Sequence, residues 1–206
     1  MSNEAKTKVD MDPKYLVKLT VTLFVTCVIV AGLLGFVNKL TLPNITAANE
    51  RKTAKAIQEV LPEMEGSPTV MELTDEMTAA AAGAGATVTE AYEAQAGGSV
   101  IGHALKIVAS GSQGNIVMMV GLDAEGAVTG VSIVSNSETS GIGSKVMNNE
   151  PLASGTGVLD QFIGRSAADG ELTVGKNVDA ISGATVSSKG VTTGVSAALA
   201  VAGLLG

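Results

Sequence analysis

The run Asp179-Ala180-Ile181-Ser182-Gly183-Ala184-Thr185-Val186-Ser187-Ser188 gathers small and hydroxyl-bearing residues just ahead of an aliphatic, helix-forming stretch. A helix start presents backbone N–H groups without intrahelical acceptors and a partial positive charge, so it suits a phosphate. Ser187 and Ser188 could cap that helix or donate to phosphate oxygens, and Lys189 adds a positive charge. An ordinary N-cap by Ser or Thr uses the same residue types, so spacing alone leaves both readings open. A second candidate is Ser137-Glu138-Thr139-Ser140-Gly141-Ile142-Gly143. Its glycines let the backbone turn sharply or approach a ligand closely, and a plain glycine turn has the same composition.

These loops need a scaffold. Ser99 to Ala109, Ile116 to Leu122 and Ala127 to Val134 are short Val/Ile-rich runs, separated by Gly111-Ser112-Gln113-Gly114 and Asp123-Ala124-Glu125-Gly126. This pattern predicts an antiparallel meander, and the second candidate loop, from Ser137, follows its third strand. Residues 136 to 176 read as loop-rich. Val191 to Leu205 reads as a buried helix, since fifteen residues are short for a membrane span. Ala79 to Ala86 reads as a loop or a frayed helix, and Gly66-Ser67-Pro68 as a linker.

Composition narrows the chemistry. The 206 residues include one Cys and one His, which excludes an intrachain disulfide framework and argues against a His/Cys metal centre. Haem and iron–sulfur clusters lack their ligands within this chain, so redox work would need an organic cofactor. Residues 56 to 206 carry five Lys/Arg against sixteen Asp/Glu, a poor surface for nucleic acid. Tyr92 and Phe162 are the only aromatics beyond the N-terminal quarter. A planar ligand there would rest on aliphatic and Met side chains, with its other face exposed or covered by a partner.

Leu19 to Val37 contains no charged residue and is flanked by Lys18 and Lys39. Nineteen helical residues span about 28 Å, close to the hydrocarbon core of a bilayer. The run exceeds a signal-peptide core and no Ala-x-Ala site closes it, so an uncleaved anchor is expected. Basic residues balance on its two sides, so charge does not orient it. After Thr41-Leu42-Pro43-Asn44 a separate helix is expected from about Thr46 to Leu61, with Ile45, Ala54, Ile57 and Leu61 on its apolar face and Pro62 ending it.

Asp179-x-x-Ser182-Gly183-Ala184-Thr185 resembles the Asp-x-x-Ser/Thr-Gly-Ala-Thr signature of FMN-binding domains, in which a flavin transferase esterifies the FMN phosphate to the threonine hydroxyl. Glu138-Thr139-Ser140-Gly141-Ile142-Gly143 resembles the same family's Glu-Thr-Pro-Gly-Leu/Ile-Gly element, with Ser140 in place of proline. With one N-terminal span, Val60-Leu61-Pro62 ending a short helix and a length near 200, nearly the whole chain is similar to the G subunits of Rnf ion-translocating electron-transport complexes.

That resemblance implies an α+β fold, in which one transmembrane helix precedes an FMN-binding domain with a largely antiparallel sheet and flanking helices. Its parts would be a cytoplasmic tail (1–18), the span (19–38), a connecting helix and linker (39–66) and the flavin domain (67–206) on the extracytoplasmic side of the cell membrane. It implies covalent FMN on Thr185, a loop shaped by Ser182, Gly183 and Ala184 with Ser187 and Ser188 beside it, and a flavin lined by Glu138, Thr139, Gly141 and Gly143. Glu138, being anionic, is expected to bond backbone or a flavin nitrogen rather than the phosphate.

The implied role is electron relay, with no catalysis by this chain alone, in a complex coupling ferredoxin:NAD electron transfer to Na⁺ or H⁺ translocation. Its partners would be the other membrane subunits, the lipid bilayer and, during maturation, the flavin transferase. A C-type subunit of the sodium-pumping NADH:quinone reductase shares the plan but is usually longer. A membrane-anchored FMN sensor or assembly protein without electron transfer is a further alternative, as is an interaction domain without flavin.

Overall fold

The structure is a computed structural model that describes residues 13–205. The chain clusters into two units, one ending at Glu50 and one from Arg51 onward. The first twelve residues of the expected tail, with Lys6 and Lys8, lie outside the described residues.

Helix α1 runs from Pro13 to Val60 without interruption. The break expected around Thr41–Asn44 is absent: a proline removes one N–H from the ladder, and here the turns on either side continue through it. Pro13–Leu42 is long and apolar enough to cross a membrane, and its most apolar 18-residue window has a mean hydropathy of 2.4 and no buried residue. Large side chains such as Phe24 and Leu34 stand about two-thirds exposed, at 67% and 66%. In water such a surface would be costly at roughly 25 cal/mol per Å²; in hydrocarbon it is the expected one.

The second unit is built on a five-stranded antiparallel sheet in the order β1(Thr69–Met71), β2(Thr87–Ala96), β3(Ser99–Ser110), β4(Asn115–Asp123), β5(Val128–Ser135). The last three are the expected meander. Strands β1 and β2 carry no clear alternation in sequence. In β2 the buried positions are Val88 and Ala91, on one face and three apart across a register irregularity after Val88, and Ala94 on the other face. Between them lie the polar residues Thr89, Glu90 and Glu93.

One sheet face packs against helix α2(Asp75–Gly83) and helix α4(Thr185–Ala202). The Thr74 hydroxyl accepts from the Met77 N–H at 3.2 Å and caps α2, with Asp75 and Glu76 in its first turn. Residues 79–83, read as loop or frayed helix, therefore sit in an ordered helix whose Met77 and Ala81 are buried. Helix α4 buries Val191, Val195, Ala198 and Val201 against Leu105, Ile107, Ile116, Met118 and Val120. It is the buried helix expected, beginning six residues earlier.

The opposite sheet face receives the end of α1. Thr53, Ala56, Ile57, Val60 and the following Leu61 are buried, and the last four pack with Ala94, Ala104 and Met119. The apolar face thus differs from the expected one: Ala54 and Ile45 are exposed, because i, i+3, i+4, i+7 spacing from Thr53 selects the neighbouring stripe. Gly121 is required here, since a Cβ would fall 2.7 Å from the Val60 carbonyl oxygen. The Thr129 hydroxyl donates to that carbonyl at 2.6 Å, satisfying a helix-end acceptor.

Candidate functional site

Strands β3 and β5 flank β4 antiparallel, so both end at the same edge of the sheet. The turn Gly111–Gly114 leaves β3 there, and the loop from Asn136 leaves β5 there. Helix α4 brings its first turn to the same edge. At Gly190 a Cβ would lie 2.6 Å from the Ser110 carbonyl oxygen, so only glycine lets the helix pack this closely on the strand end. The two loops singled out in the sequence, about 40 residues apart, therefore converge.

They enclose a cleft of about 160 Å³ lined by Ser112, Glu138, Thr139, Ile142, Gly143, Gly183, Ala184, Thr185, Val186 and Ser187. Thr185 is exposed and is the first residue of α4. The turn before it is closed by the Ala184 N–H donating to the Ile181 carbonyl at 2.9 Å, with Gly183 at φ +83° in its third position. Such a turn needs a left-handed residue there, hence glycine. Upstream, the Gln161 side chain clasps Asp179, donating to its carbonyl at 3.0 Å and accepting from its N–H at 2.8 Å. Gln161 was not visible as a site residue, because nothing in the sequence pairs a 3-10 turn with a loop 18 positions on.

The N-cap of α4 is Ala184, which provides no side-chain cap. Alanine is among the poorest caps, costing about 1 kcal/mol relative to Ser or Asp. The serines expected to cap or to donate to phosphate are otherwise engaged. The buried Ser188 hydroxyl donates to the Ala184 carbonyl at 3.1 Å, and the Ser187 hydroxyl donates to a Glu138 carboxylate oxygen. The first N–H groups of an 18-residue helix are thus left without a side-chain acceptor, beside an exposed threonine hydroxyl. That arrangement fits a phosphate on Thr185. Lys189, one turn along on the same helix face and exposed, complements its charge.

Glu138 does not face the cleft as a free anion. Its other carboxylate oxygen accepts from the Ser112 and Gln113 N–H groups at 2.8 and 3.2 Å. Thr139 holds the neighbouring turn, its carbonyl accepting from Ile142 and Ser144 at 3.2 Å each. Gly141 (φ +80°) lies outside the cleft lining and donates its N–H to the Ser144 hydroxyl at 2.8 Å, and Ser182 is exposed beside the cleft mouth. Gly143 lies against the Glu138 side chain, where a Cβ would come 2.8 Å from both Glu138 Cβ and Ser187 Oγ. The apolar walls are Ile142 and Val186, half exposed at 51% and 55%.

Neither aromatic of the second unit reaches the cleft. Phe162 is buried in the core, and the Tyr92 hydroxyl donates to Glu90 on strand β2. No methionine lines the cleft among the described residues. Its larger aliphatic side chains are Ile142 and Val186. No group of three or more metal-ligating side chains occurs among the described residues.

Residues 111–200 match the FMN-binding domain family, a span that includes both loops, their strand and most of α4. Over nearly its whole length the chain is similar to the G subunit of the Na⁺-translocating ferredoxin:NAD⁺ oxidoreductase complex of Acetobacterium woodii. They are 34% identical, with 96% of this chain and 97% of that one covered. The chain belongs to the G-subunit family of ion-translocating oxidoreductase complexes. A second G subunit, from Methanosarcina acetivorans, is 29% identical over 87% of this chain and 90% of its own. The proton-translocating complex of Clostridium ljungdahlii has a G subunit 35% identical over 52% of this chain and 57% of its own. The likeness to the Acetobacterium woodii subunit extends well beyond the flavin domain and takes in the N-terminal helix.

Proposed function

We propose that Thr185 carries FMN as a phosphoester and that the second unit of this G-subunit chain presents the flavin for electron relay. The chain is an FMN-carrying electron-transport subunit of an ion-translocating complex. The exposed Thr185 hydroxyl, at an uncapped helix start inside the matched FMN-binding span, carries the finer reading.

The residues divide the work. The α4 backbone N–H groups and Lys189 receive the phosphate charge. Ser182, Gly183 and Ala184 form the turn that offers the Thr185 hydroxyl. Thr139, Gly141 and Gly143 shape the facing wall, with Glu138 behind it. Ile142 and Val186 give one aliphatic face to the ring. A cleft of about 160 Å³ falls short of the roughly 300 Å³ or more typical of enclosing ligand sites. Its lining would hold the phosphate and ribityl chain and leave the isoalloxazine less enclosed. Weak enclosure makes a covalent tether useful and leaves a ring edge free to exchange electrons with a neighbouring subunit. Bound FMN supplies reversible one- and two-electron transfer.

Electrons would pass between ferredoxin and NAD through this and other membrane subunits, driving Na⁺ or H⁺ translocation. Pro13–Leu42 would anchor the chain in lipid as a single span, with the flavin unit extracytoplasmic and a flavin transferase as maturation partner. Flavin reduction in purified membranes supplied with reduced ferredoxin and NAD tests the relay. A flavin that stays oxidised under turnover, with its redox state uncoupled from either substrate, would leave only a sensor or assembly role.

A further inference from the structure

Glu138 joins three segments that are distant in sequence. One carboxylate oxygen takes the N–H groups of Ser112 and Gln113, in the turn leaving β3. The other takes the hydroxyl of Ser187, in the first turn of α4. Its own backbone N–H is held by the Asn136 side chain at 3.1 Å. Two glycines leave room for the carboxylate: a Cβ at Gly111 or at Gly143 would run into it. Ser187 is buried and lies two residues beyond Thr185.

A carboxylate with three donors is a fixed point rather than a mobile charge, since charge-assisted hydrogen bonds are about twice as strong as neutral ones. We infer that Glu138 is a positioning residue for flavin attachment: through Ser187 it fixes where the first turn of α4, and hence the Thr185 hydroxyl, sits over the cleft. The inference rests on the Thr185 reading above. In the attachment step the Thr185 oxygen bonds to the flavin phosphorus, and the P–O bond of an FMN phosphoanhydride held by the transferase breaks. The departing phosphate takes the electron pair, and the threonine proton passes to solvent. Neither Glu138 nor Ser187 exchanges a proton with the reacting atoms in this scheme. Their effect is geometric, and misplacement of a reacting group by about 1 Å can cost about a hundredfold in rate.

Geometry and charge make different forecasts. A glutamine at 138 keeps an oxygen for the Ser112 and Gln113 amides and offers an N–H to the Ser187 oxygen, so positioning survives loss of charge. The test uses the full-length chain co-expressed with its flavin transferase in membranes, scoring yellow-green in-gel fluorescence per unit of protein at short induction times. Glu138→Ala is expected to fall at least about tenfold, Glu138→Gln to stay within about threefold of wild type, and Ser187→Ala to lie between them. Protease resistance of the same membranes reports folding. Should Glu138→Ala not fold, Ser187→Ala, which leaves both amide bonds intact, carries the test alone. Wild-type fluorescence in Glu138→Ala or Ser187→Ala overturns the inference, and so does a Glu138→Gln variant as dark as Glu138→Ala. Fluorescence retained in a Thr185→Ala control refutes the underlying attachment site instead.

Discussion

Two glycines in α4 offer a paired perturbation. Replacing either with alanine gains helix propensity of about 1 kcal/mol. They differ in what the new methyl meets. At Gly190 it would lie 2.6 Å from the Ser110 carbonyl oxygen and 3.0 Å from Ile116 Cδ1. The carbonyl is backbone in a central strand, so the helix itself must retreat by several tenths of an ångström. At Gly194 the nearest atoms are the Met118 sulfur at 2.5 Å and its terminal methyl at 2.6 Å, the flexible end of a side chain that can change rotamer. Overpacking against an unyielding neighbour costs about 1–3 kcal/mol. A backbone neighbour places Gly190→Ala at the upper end of that range, about 2–3 kcal/mol, so it should lose about 1–2 kcal/mol net of the propensity gain, and Gly194→Ala should be nearly neutral. For a unit of this size that corresponds to a Tm about 2–8 °C lower for Gly190→Ala alone. Thermal unfolding of the full chain in detergent, followed by far-UV circular dichroism, gives both numbers. Gly190→Ala should also lower flavin occupancy, because the helix start moves with the helix. Equal shifts in the two variants, or a stable Gly190→Ala, would refute the reasoning about close approach.

Other consequences can be measured on the same material. Burial lowers the His103 pKa and Glu93 only partly offsets this. The folded state thus takes up a proton less readily than the unfolded chain, and stability falls as pH drops through the ordinary histidine value near 6.5. The Tm should decline from pH 7.5 to 5.5 in the wild type, and less so in His103→Asn. Burial alone would raise the Glu90 carboxyl, but the Tyr92 hydroxyl and the Lys106 ammonium, bonded at 2.9 Å, outweigh it and lower its pKa. Its contribution is lost only as pH falls below about 4.5, outside that window. Thr129→Val removes the donor to the Val60 carbonyl and should cost about 1 kcal/mol, read as a lower urea midpoint with an unchanged slope.

Much of this architecture was legible in the sequence where burial and period coincide. The meander β3–β5 announces itself through β-branched runs and glycine turns, and α4 through small and aliphatic residues. Strand β2 escaped because its buried residues are one valine and two small alanines divided between the two sheet faces, with a bulge after Val88, so no alternation survives. The α1 continuity through Pro43 escaped because a proline marks a probable break and cannot report on the turns that flank it. At the site, both loops were found by residue type, but their junction was not. That Glu138 reaches Ser187 and the Gly111–Gly114 turn, and that Gln161 clasps Asp179, depends on which strand ends share a sheet edge. Thr185 stands out in sequence mainly by family resemblance; in the structure it stands out by exposure at a helix start that no side chain caps.

The attachment of flavin to Thr185 is tested most directly by peptide mass spectrometry of the chain purified from native membranes. The peptide containing Thr185 should carry the mass of FMN less one water, with fragment ions locating it on Thr185 and not on Ser182, Ser187 or Ser188. The Thr185→Ala chain should be dark in a denaturing gel. An unmodified Thr185 peptide from membranes whose complex is active, or the flavin mass on another residue, would contradict the account.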